Sequence, residues 1–126
     1  MRDMDEIVLT IPRDQAFHGV AHLVLGGLAS RLKLTLERIE DLQLGIDSLL
    51  AQHGIGELTL RLRVEQGFIA AEVGPFPGSL KAELEQESDS GVGLRRILAA
   101  VSDGVQVGES EGEAWVTLTM NVNGAA

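Results

Sequence analysis

A chain of 126 residues with 44% apolar and 23% charged content has the size of one globular domain, and it contains no apolar run long enough to cross a bilayer. It has no cysteine, which removes disulfides, thiolate nucleophiles and cysteine-zinc sites. A formal charge of −9 argues against binding nucleic-acid phosphates, which takes clustered Lys and Arg, and suits protein partners with basic faces.

Met1 to Glu6 place acidic residues ahead of a short apolar stretch, which is not a signal-peptide layout, so a cytoplasmic protein is expected. Ile7 to Ile11 read as a short strand ended by Pro12, which cannot continue a ladder. From Asp14 to about Leu32 the pattern is helical. Phe17, Val20, Ala21, Val24, Leu25 and Leu28 can share one face, and Gly19, Gly26 and Gly27 weaken the helix. Asp14, His18 and His22 are spaced four apart on one stripe, with His53 the one further histidine to recruit. Structural zinc takes four ligands and catalytic zinc three, so the stripe is read as a polar helix face.

A second helix is expected from about Thr35 to His53. Its core stripe is Ile39, Leu42, Ile46 and Leu49, Gly54-Ile55-Gly56 end it, and Asp41, Gly45, Ser48 and Gln52 lie beside the stripe. Glu57 to Glu65 alternate strictly, Gln66-Gly67 turn, and Phe68 to Val73 return as the second strand of a hairpin. Val73-Gly74-Pro75-Phe76-Pro77-Gly78 read as a glycine-rich turn, and Glu83, Glu85, Glu87 and Asp89 make the following stretch an acidic loop.

Leu94, Ile97, Leu98 and Val101 then recur at helical spacing behind Gly91 and Gly93, with Asp89 or Ser90 as caps. Arg95 and Arg96 put positive charge near the helix end that is already positive, an arrangement that an anion or an acidic surface would relieve. Val101, Val105 and Val107 lead into a turn over Gly108 to Glu113. Ala114 to Met120 alternate back as the last strand, and Asn121 to Ala126 read as a frayed end.

Gly91-Val92-Gly93-Leu94 through Ile97, Val105-Gln106-Val107 and Trp115-Val116-Thr117-Leu118 resemble the C-terminal half of the anti-sigma-factor serine kinases. These belong to the histidine-kinase-like (Bergerat) ATPase superfamily, and the likeness extends over nearly the whole chain. The resemblance implies an ATP site in which Gly91, Gly93 and Leu94 open the phosphate-holding helix. It also implies that Gly74 lies in the adenine-side turn, that Thr117 lies near nucleotide, and that residues 81–89 belong to the lid.

In that family the helix matching Leu42 to Gln52 carries a glutamate base and, four residues later, an asparagine that ligates magnesium. Here those positions hold Ser48 and Gln52. A serine hydroxyl cannot take a substrate proton as a carboxylate does, and the longer Gln52 must still meet the strict geometry of magnesium. Asp47 is offset by about 100° around the helix from Ser48. The adenine-reading aspartate has no counterpart beside Gly74, and the acids before Gly91 repel a triphosphate.

The expected fold is α+β: one domain over residues 1–126, a two-layer sandwich with a mixed or antiparallel sheet of about four or five strands covered on one face by helices. The leading functional reading is an anti-sigma-factor-like regulator that binds a sigma factor or an anti-anti-sigma-type protein, forms a homodimer, and needs no cofactor. A second is an active ATP- and Mg2+-dependent serine kinase, with Gln52 on the metal and Asp47 or Asp41 as base. A third is a structural dimerisation module. None of the three involves nucleic acid or a membrane.

Overall fold

The computed structural model describes residues 4–32, 34–52, 54, 56–65, 67–86 and 93–121. Strand β1 (Met4–Pro12) leads through a 3-10 turn (Gln15–Phe17) into α1 (His18–Leu32) and α2 (Leu36–Leu50). The hairpin β2 (Glu57–Glu65) and β3 (Phe68–Pro77) follows, then α3 (Ser79–Gln86), α4 (Leu94–Val101), β4 (Gly104–Ser110) and β5 (Glu113–Asn121). All five strands form one antiparallel sheet in the order β1-β2-β3-β5-β4. The chain is thus the expected α+β sandwich, and its sheet contains no parallel pair.

Period-two alternation decides which face of the sheet is dry. Leu58, Leu60 and Leu62 of β2 point the same way as Ile69, Ala71 and Val73 of β3 and Ala114, Val116, Leu118 and Met120 of β5, and all are buried. Against them pack Ala21, Leu25 and Leu28 of α1, Leu42, Ile46, Leu49 and Leu50 of α2, Leu80 and Leu84 of α3, and Leu98 of α4. Each fully buried leucine contributes about 1.5–3 kcal/mol. Among the described residues, no polar or charged residue is buried in this core. The opposite face carries polar and charged groups, including Arg61, which donates to Glu72 at 2.9 Å, and the paired hydroxyls of Thr10 and Thr59 at 3.0 Å.

Several boundaries differ from the sequence expectation for local reasons. β1 begins at Met4, because its ladder with β2 runs from Met4↔Glu65 to Pro12↔Glu57. Of the expected apolar face of α1, Ala21, Leu25 and Leu28 are buried but Phe17 and Val20 are exposed, and Ala29 is buried in addition. The stretch from Gly74 to Pro77 is strand rather than turn. Phe76 and Pro77 pair with Ala114 and Glu113 after a register slip at Gly74-Pro75, where proline has no N–H to donate. The acidic stretch holds helix α3, because Leu80 and Leu84 lie one turn apart and both reach the core.

Val101 closes helix α4 and does not lead a strand. The turn before β5 is only Glu111-Gly112, both at positive φ (54° and 80°), as a two-residue hairpin turn requires. Asn121 belongs to β5, while residues 122–126 lie outside the described residues.

Thr35 caps α2 by accepting from the Arg38 N–H at 3.2 Å. The helix then comes so close to the sheet at Gly45 that an added Cβ would sit 2.9 Å from Leu118 Cδ1 and 3.1 Å from Val101 Cγ2. Gly45→Val should therefore destabilise the fold by about 1–3 kcal/mol through overpacking, read as a lower urea midpoint with an unchanged m-value. An unchanged midpoint would contradict this packing.

Candidate functional site

The burial of Leu42, Gly45, Ile46 and Leu49 fixes the rotation of α2, and with it the direction of every polar residue on the helix. Ser48 is half-buried, and its Oγ donates to the Leu44 carbonyl at 2.8 Å. Gln52 Nε2 donates to the Ser48 carbonyl at 3.0 Å. Each bond runs back one turn along the same helix, so the hydroxyl and the amide N–H are engaged by α2's own backbone. Asp47 faces α1, where its Oδ1 lies 2.6 Å from His22 Nε2. Both side chains are about 40% exposed (42% for His22, 39% for Asp47), the range in which an ion pair contributes at most about 1 kcal/mol. Asp41 is half-buried on the same helix.

Of the remaining residues of the expected nucleotide site, Gly74 and Thr117 lie on the sheet face away from the helices. Gly74 packs under the indole of Trp115, on the face away from the helices: a Cβ there would sit 2.5 Å from Trp115 Cδ2. Thr117 points to that same face, because its neighbours Val116 and Leu118 point into the core; it pairs with Glu72 and Gln106. Ser48 sits on, and Gln52 just beyond the end of, a helix that packs on the other face.

Gly93 is the N-cap of α4, in extended conformation and without a side-chain capping bond, and Leu94 packs half-buried against the core. Gly91, the proposed caps Asp89 and Ser90, and His53 lie outside the described residues. Arg95 donates to the Leu84 carbonyl at 3.3 Å, in the last turn of α3. The negative end of one helix thus receives the positive charge that the sequence placed at the start of the next.

Two pockets flank Gln52. The smaller, about 190 Å3, is lined by Gln52, Pro77, Ser79, Leu80 and Glu83, and so combines a volume below the about 300–1,000 Å3 of ordinary small-molecule sites with a carboxylate in its wall. The larger, about 630 Å3, lies between the start of α1 and the end of α2. Arg13, Gln15, His18, His22, Asp47, Gln52 and the apolar Leu50 and Ala51 are among its lining residues. Asp14, His18 and His22 do not converge on a metal position, and no group of three or more His, Cys, Asp or Glu able to hold an ion occurs among the described residues.

Sequence reasoning missed Arg13. Its guanidinium lies against the Gly54 backbone, where a Cβ would collide with it. Nη2 donates to the Pro75 carbonyl, and Cζ stands 5.7 Å from the centre of the Phe76 ring. Burial lowers its pKa from the ordinary arginine value and the charge of Glu113 acts in the opposite direction; the guanidinium stays charged at neutral pH. Gly54, Pro75 and Phe76 are far from residue 13 along the chain, so no local motif signals this cluster.

No family model matches this chain, and no characterised protein does. The site therefore rests on its own geometry. Since Gly74 is glycine because Trp115 covers it, Gly74→Ala should cost about 1–3 kcal/mol in chemical denaturation followed by circular dichroism. The same substitution in a Trp115→Leu background should cost clearly less. Equal costs in the two backgrounds would mean that the indole does not set the requirement for glycine.

Proposed function

We propose that this protein is an anti-sigma-factor-like regulator that works by binding other proteins, with an ATP site reduced to its outline. The family reading rests on the resemblance of Gly91 to Leu118. The loss of nucleotide chemistry is supported by one observation above the others: at the position of the family's base stands the Ser48 hydroxyl, which is no carboxylate and donates to the Leu44 carbonyl of its own helix. Gly74 and Thr117 on the far face of the sheet, and Glu83 in the wall of the small pocket, point the same way.

The active-kinase reading needs Asp47 or Asp41 as base. Asp47 is turned toward α1 and held by His22, and this favours the binding reading over the catalytic one. A scaffold that only dimerises has no specific observation in its favour.

Calorimetric titration with magnesium-ATP should show no binding in the micromolar range, whereas a sigma factor or anti-anti-sigma-type protein from the source cell should form a complex with the chain whether or not ATP is present. Micromolar ATP binding, or complex formation that requires ATP, would overturn this reading in favour of the kinase.

A further inference from the structure

We propose that the pocket between the start of α1 and the end of α2 is a binding site for the oxyanion of a small organic molecule, a phosphate or carboxylate group, with Arg13 and His18 as its anchors. The inference is independent of the regulatory reading above.

Buried polar groups in folded proteins are almost always paired, so unpaired ones mark a place where a partner is missing. Three buried side-chain nitrogens have no hydrogen-bond partner among the described residues: Arg13 Nε, Arg13 Nη1 and His18 Nε2. Both residues line this one pocket. A guanidinium with donors to spare is matched best by a phosphate or a carboxylate, because charge and hydrogen bonding are then satisfied together.

The rest of the lining agrees. Its carboxylate, Asp47, already has His22 Nε2 at 2.6 Å, and Glu113 influences Arg13 from outside the lining. Gln15 offers an amide, while Leu50 and Ala51 give the wall an apolar patch. At about 630 Å3 the space exceeds what a bare inorganic anion needs and falls within the range of small-molecule sites, so the oxyanion belongs to a larger body that lies on that patch. The unpaired nitrogens are shielded from solvent in this arrangement. To engage, the guanidinium turns off the Gly54 backbone and exchanges the Pro75 carbonyl for the ligand's oxygens.

The test is an NMR titration of the isotope-labelled full chain with sodium phosphate and, in a separate arm, with sodium acetate, at ionic strength held constant with sodium chloride. Saturable shifts at Arg13 Nε, the imidazoles of His18 and His22, and the Gln52 side chain are expected. Saturation in both arms assigns a general oxyanion site, and in the phosphate arm alone a phosphate site. Arg13→Met should weaken binding about ten-fold or more and His18→Leu by less. If Arg13→Met does not fold, His18→Leu decides the matter alone. Shifts that never saturate, shifts confined to Gly93 and Leu94, or an affinity unchanged in the folded variants would overturn the site.

Discussion

At Gly45, α2 lies so close to β5 and α4 that Leu118 and Val101 occupy the space a side chain would need. A helix held at this distance cannot rotate without driving Leu42, Ile46 and Leu49 out of the core, and their burial is worth several kcal/mol in sum. With 3.6 residues per turn, fixing that one face fixes all the others. Asp47 is thereby committed to α1 and His22, and Gln52 to the helix end where both pockets meet. The polar chemistry of the molecule is a by-product of how its apolar stripe seats.

The same seating explains why Gly74 and Thr117 lie on the other side of the sheet from Ser48 and Gln52. β3 and β5 alternate their side chains between core and solvent, and Val73, Val116 and Leu118 take the core positions. Gly74 and Thr117 are left with the other face, separated from α2 by the sheet itself. Changing that would require a one-residue slip of the strands, which would expose a row of buried aliphatic side chains.

Much of the fold was legible because its signals are periodic and local. The strict alternation from Leu58 to Val64 and the three-four spacing from Ile39 to Leu49 each name an element and its inward face. What failed was decided by partners distant in sequence. Phe76 and Pro77 look like turn residues until β5 lies alongside them, and the acid-rich α3 buries two leucines whose receptors are on other elements. The candidate site was less legible still. The residues from Ser48 to Thr117 were located by likeness to a motif, which carries identity but not orientation. Arg13 gave no signal at all, because three segments of the fold must converge before its guanidinium has surroundings.

Trp115 has a consequence beyond packing over Gly74. The chain has one tryptophan and no tyrosine, so nearly all of its near-ultraviolet emission originates at a half-buried indole on the sheet face opposite the helices. The molecule carries a built-in optical probe with a known address. A macromolecule that settles on that face will alter its colour and quenching, so the arrival of a partner on that side of the domain is readable without any label.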